Sequence, residues 1–198
     1  MRHSSYEVWL PDDYDASRLW PAILFLHGAG ERGNDNQKQT TVGLGPHLRD
    51  GTLHPPAIVV FPQCPAESVW SGETRRALAA LDEVCELYPI DRDRVSLTGI
   101  SLGGAGVWTL AAAHPDRWSA IAPVCGWVVG APFRVSIPAW IFHGSDDPVI
   151  PVAQSRGMAE VLGKSAAYTE FPGVKHNSWD PAYTTTGVVE WLVKQKRS

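Results

Sequence analysis

Seven short apolar runs punctuate this chain, each bounded by glycine, proline or aspartate: 5–10 (SYEVWL), 22–27 (AILFLH), 57–61 (AIVVF), 94–99 (RVSLTG), 120–125 (AIAPVC), 139–144 (AWIFHG) and 166–171 (AAYTEF). Their length and their Val, Ile, Leu and Phe content predict strands. The first alternates, with Tyr6, Val8 and Leu10 on one face and Ser5, Glu7 and Trp9 on the other, whereas the later runs are nearly continuous in apolar residues. That contrast predicts an antiparallel edge strand beside a mostly parallel sheet covered on both faces.

Helical patterns fall between the strands, at 74–88, 104–114, 152–163 and 185–196. In the first, Leu78, Leu81, Val84, Cys85 and Tyr88 recur at three- and four-residue spacing, an apolar stripe able to lie on a sheet. Strand followed by helix, repeated, predicts a doubly wound, three-layer α/β fold. The segment 31–52 is polar and glycine-bearing and ends in a short helical pattern. No stretch after Ser101 is long enough for a separate lid, and no repeat or linker interrupts the chain, so residues 1–198 are expected to form one domain with little or no cap.

Composition narrows the functional classes. With 44% hydrophobic and 19% charged residues the chain is of ordinary globular type. A net charge of −4 leaves no basic stripe for phosphates, and the cationic end KQKRS is read as a solvated helix end, so nucleic acid is not expected as a partner. No apolar run approaches the length of a bilayer span, and the first fifteen residues lack the apolar core of a signal peptide, which leads to the expectation of a cytoplasmic protein. Cys64, Cys85 and Cys125 form no C-x-x-C pair and are read as reduced thiols.

The chemistry centres on TGISLGGAG, residues 98–106, a serine between glycines after a strand and before a helix. A serine hydroxyl is a weak nucleophile near neutrality and needs a base, a group that orients the base, and donors for the oxyanion. The sharp strand-to-helix turn of a nucleophile elbow requires small flanking residues, which Gly99 and Gly103 supply, and Gly104 and Gly106 let the next helix approach the sheet. In this architecture acid and base follow the serine, each after a later strand. HGSDDPVIP offers Asp146 and Asp147, which spacing alone does not separate, and GVKHNSWDPAY offers His176. The amide of Leu102, next after the serine, is one expected oxyanion donor, and the glycine-rich turn HGAGERG lies upstream as a source of another.

Together LPDDYD, WPAILFLHGAGERGNDN, FPQCP, GISLGG, HGSDDPVIP and GVKHNSWDPAY resemble the α/β-hydrolase superfamily, in its small carboxylesterase and peptidase-like branch related to the dienelactone hydrolases and phospholipase/carboxylesterases. The resemblance spans nearly the whole chain. It implies a triad of Ser101, Asp147 and His176, with Asp147 preferred to Asp146, and Ala29 as the second oxyanion donor. Dienelactone hydrolases proper use cysteine, so the serine points toward ester hydrolysis by a serine carboxylesterase through an acyl-enzyme on Ser101, acting on short-chain or compact esters of small molecules.

Other residues receive plainer readings. His27 and His143, both in His-Gly at strand ends, are read as loop braces, His114 as a helix cap, and His3, His47 and His54 as surface residues. Cys125 is read as an inert buried thiol. No metal-ligand cluster, phosphate loop or dinucleotide fingerprint is present, so neither metal nor cofactor is expected. Trp70, Trp127 and Trp179 fall in loops at the expected catalytic edge, where indoles wall a substrate pocket or simply pack. A peptidase or amidase, a thioesterase, and a non-catalytic ligand-binding protein on the same scaffold are the alternatives.

Overall fold

A computed structural model describes residues 6–130, 133 and 135–197. Seven strands form one sheet in the order β1-β3-β2-β4-β5-β6-β7. They are β1 (Tyr6–Trp9), β2 (Trp20–Leu26), β3 (Ile58–Pro62), β4 (Ile90–Ile100), β5 (Ala120–Val124), β6 (Ala139–Gly144) and β7 (Ala166–Phe171). β1 pairs antiparallel with β3, and every other pairing is parallel. This is the expected three-layer α/β arrangement with an antiparallel amino-terminal edge and, among the described residues, no large cap. Ser5 and His3, assigned above to the first strand and the surface, lie outside the described residues.

Strand periodicity sorts the core into two layers. In β2, Ala22, Leu24 and Leu26 face one side and Ile23 and Phe25 the other; in β3, Ile58 and Val60 oppose Val59 and Phe61. The first side is covered by α2 (Thr74–Leu87), α3 (Leu102–Ala113) and α4 (Ala153–Leu162). The second is covered by α1 (Leu44–Arg49), α5 (Trp179–Thr185) and α6 (Val188–Lys194). Burial on both faces is why the central strands carry unbroken apolar runs.

The elements depart from expectation in three places. β4 begins at Ile90, ahead of the apolar run, because Trp20 pairs with Ile90 before a register shift that restores pairing at Ala22 and Val95. α3 starts at Leu102, inside the glycines. α5 was not foreseen; His47 ties it to α1, its Nε2 lying 3.2 Å from an Asp180 carboxylate oxygen, so His47 is largely buried. Among the described residues no helix is long and apolar enough to cross a membrane.

Two glycine contacts fix the elbow. A Cβ on Gly103 would sit 1.9 Å from the Leu26 carbonyl oxygen, so only glycine lets α3 start against the end of β2. Gly104 and Gly126 meet backbone to backbone, and a Cβ on either would come within 2.8 Å of the other.

Candidate active site

Ser101 occupies the turn between β4 and α3 with φ 51° and ψ −115°, a conformation costly for a non-glycine residue. The adjacent strand and helix hold it there: its amide donates to Val124 O of β5 at 2.9 Å, and its carbonyl accepts from Ala105 N of α3 at 3.0 Å. Stored strain of this kind marks functional turns, and here it presents the hydroxyl at the carboxyl edge of the sheet.

The base comes from the loop between β7 and α5. His176 Nε2 lies 2.9 Å from Ser101 Oγ, so the hydroxyl donates to the ring, and Nδ1–H donates to Asp147 Oδ2 at 2.7 Å. Asp147 belongs to the turn after β6, and its side chain is wholly buried. Asp146 points away, accepting from Ser145 Oγ at 2.6 Å. The two loops are fastened by Asp146 N donating to Val174 O at 3.0 Å.

Burial works to raise the Asp147 carboxyl, but the bond from His176 and the amides of Ile150 and Val149 hold it below the usual carboxylate range. Oδ1 accepts from Val149 N at 2.8 Å and Ile150 N at 3.0 Å, and Oδ2 also accepts from His143 Nε2 at 3.2 Å. A carboxylate so supplied with donors stays ionised and stabilises an imidazolium beside it.

Leu102 and Ala29 are each the first residue of a helical turn, positions whose N–H groups lack partners inside the helix. Gly28 rests on the Ile100 side chain and the Gly103 position on the His27 carbonyl, so the 27–29 turn flanks the elbow. His27 braces that turn: Nδ1–H donates to Gly28 O at 2.6 Å, and Nε2 accepts from Cys64 N at 3.0 Å. Burial pushes its pKa down to about 4.

The three tryptophans separate. Trp70 is buried, its indole N–H donating to His27 O at 2.9 Å. Trp127 is partly exposed and, with Val69, Trp70, Leu102, Ala105 and Val129, lines a cavity of about 170 Å³ beside the elbow. Trp179 stands edge-on to the His176 ring, centroids 5.5 Å apart.

Cys125 was read as inert, and its position corrects the serine-hydrolase expectation. Its Sγ, an Asp147 carboxylate oxygen and a His176 ring nitrogen all lie within 4.8 Å of one another, the cysteine–acid–histidine grouping of the dienelactone-hydrolase pattern. The acid–base pair therefore serves a space shared by a hydroxyl and a thiol, and a mechanism assigned to serine as a class does not stand. Cys125 follows β5 directly, at φ 40°, and its amide donates to Phe142 O at 2.8 Å. Burial pushes its thiol up to about 12. These three side chains are also the one set of metal-ligand types grouped this closely among the described residues, but the carboxylate oxygens already accept from four N–H groups.

Residues 2–146 match the family described as "Putative esterase". A "Probable feruloyl esterase C" of Aspergillus terreus is 27% identical over 157 residues, covering 74% of this chain and 56% of that protein. The crystal structure of a thermostable esterase superposes with a TM-score of 0.84 at 33% identity, covering 97% of this chain and 59% of that one. The chain thus spans little more than half the length of these two relatives. The cytoplasmic expectation is corrected by a third: an "Uncharacterized secreted protein" of Arthroderma benhamiae, 26% identical over 212 residues, covering 82% of this chain and 22% of that protein.

Proposed function

Because the chain belongs to the esterase family of α/β-hydrolases, we propose that it hydrolyses carboxylic esters of small molecules at the cluster of Ser101, Asp147 and His176. One observation carries this reading: an unbroken hydrogen-bonded line from a buried carboxylate through His176 to the hydroxyl at a strained strand-to-helix turn.

His176 takes the proton of the attacking group through Nε2 and later returns one to the leaving alcohol. Asp147 holds the ring in the tautomer that leaves Nε2 free to accept, and stabilises its cation. The amides of Leu102 and Ala29, each first in a helical turn, receive the oxyanion in this reading, and water then releases the acid from the enzyme. The cavity walled by Val69, Leu102, Ala105 and Trp127 suits an apolar or aromatic acyl group. Two nucleophilic side chains border the base: Ser101 Oγ at hydrogen-bond distance, and the buried Cys125 thiol, which keeps its proton near neutrality unless the imidazole removes it.

The test is hydrolysis of p-nitrophenyl acetate and methyl ferulate by the wild type and by His176→Ala, with mass-spectrometric mapping of the trapped acyl group. Turnover by the wild type, a fall of about 10³-fold or more in His176→Ala, and an acyl adduct on the peptide containing residue 101 or residue 125 are expected. Undiminished turnover in His176→Ala, or no hydrolysis of any ester by the wild type, removes the reading.

A further inference from the structure

The carboxylate that holds His176 is held in turn by a second imidazole. His143, next to last in β6, is completely buried. Its Nε2 faces two acceptors, Asp147 Oδ2 at 3.2 Å and Ile150 O at 3.0 Å, so Nε2 carries the proton. Its Nδ1 lies 2.7 Å from Ser155 Oγ on α4 and accepts that hydroxyl's proton. Burial disfavours the cation, which keeps the ring neutral in this tautomer. Oδ2 of Asp147 is therefore shared by two imidazole N–H donors, one facing the candidate active site and one facing the interior.

We infer that His143 is a positioning residue for the reaction: through one N–H it fixes both the Asp147 carboxylate and the Ile150 carbonyl, and it draws off part of the negative charge that His176 would otherwise feel. The chain of contacts runs from Ser155 through His143, Asp147 and His176 to Ser101, tying α4 to the elbow. The titratable groups around His143 are Asp147 and His176 on the catalytic side and, across the sheet, Glu170 on β7, its register partner. Arg156 and Tyr168 both donate to Glu170 and hold it well below the usual carboxylate range, so it stays an anion through the pH range of the test.

Dividing a carboxylate between two donors weakens each bond. Removing the inner donor strengthens the outer one, favours the His176 cation and makes the neutral base scarcer on the acid side. The inference rests on the proposed ester hydrolysis for its kinetic readout alone, so a second readout is taken from the resting protein. The low-field proton NMR signal of His176 Nδ1–H, assigned by its loss in His176→Gln, and the pH profile of kcat/KM are recorded for the wild type, His143→Met, His143→Gln and Ser155→Ala.

In His143→Met the signal is expected to move downfield, and the acid limb of the profile to move up by about half a pH unit. His143→Gln keeps an amide N–H near the position of Nε2 and brings both back toward wild type. Ser155→Ala shifts both in the same direction by less. A folded His143→Met protein with signal and limb unmoved, or His143→Gln behaving like His143→Met, overturns the inference. Should His143→Met fail to fold, an unmoved signal in Ser155→Ala overturns it instead. If no ester is turned over, the NMR signal alone decides, and the functional reading fails separately.

Discussion

His27 follows β2 and His143 lies at the end of β6, each in a His-Gly dipeptide, and neither exposes any surface. Burial keeps both neutral, but in opposite tautomers. His27 carries its proton on Nδ1, and both its partners, the Gly28 carbonyl and the Cys64 amide, are backbone groups. His143 carries its proton on Nε2 and shares it with the carboxylate that orients His176. Identical local sequence thus yields a brace for the turn at Ala29 in one region and a contact to the acid–base pair in the other. What distinguishes them is the acceptor each ring meets: in HGAG it is the carbonyl of the dipeptide's own glycine, whereas HGSDD returns a carboxylate four residues later.

Breaking the acid side of this comparison has the largest effect. Asp147→Asn presents an amide to His176 and favours the wrong tautomer, so kcat is expected to fall about 10⁴-fold; the same amide sets a donor against the buried His143 N–H, so the urea midpoint falls as well, as ester turnover and equilibrium unfolding would register. On the other side, His27→Leu orphans a buried carbonyl and a buried amide. It should cost about 4 kcal/mol in urea unfolding and leave the acid limb of kcat/KM in place. A shifted limb in that variant would erase the distinction between the two histidines.

The brace also makes an acid-sensitivity prediction. An unfolded imidazole takes its proton near 6.5 and the folded His27 near 4, so between those values the unfolded state binds more protons and stability falls as pH falls. The loss reaches about 3 kcal/mol by the bottom of that window. His27→Gln, with no proton to take, should show a shallower dependence of unfolding free energy on pH over the same range. The smallest effect sharpens the comparison: Asp146→Asn, one residue from the buried acid but turned to solvent, should leave kcat within about twofold of wild type.

Strand positions were legible because a buried parallel sheet leaves a nearly unbroken apolar imprint, and all seven runs became strands. α3 was legible only in part, since the glycines that let it begin at Leu102 are poor helix formers tolerated for their contact with Leu26 and His27. α5 escaped notice because WDPAYTT is short, contains proline and has no apolar period; it buries Ala182 and Tyr183 against the sheet instead. Motif order brought Ser101, Asp147 and His176 to one hydrogen-bonded line, and geometry separated Asp147 from Asp146 where spacing had not. Cys125 was misjudged because it carries no motif. Its signal was topological: it directly follows the strand next to the one bearing the elbow, at the same edge of the sheet. His143 likewise disclosed its partner only once the turn after β6 brought Asp147 back to it.

The backbone seam between Gly104 and Gly126 separates two kinds of tolerance. The catalytic atoms depend on an alignment that a shift of an ångström would ruin, whereas Val69, Trp127 and Val129 edge the cavity with part of their surface in solvent. A bulkier residue at the seam would push the elbow helix off the strand ends. Bulk added at Val69 or Val129, both exposed, extends toward solvent and an incoming acyl group. A mutational library that holds the seam constant and varies Val69 and Val129 would therefore explore substrate range while the catalytic groups keep their alignment.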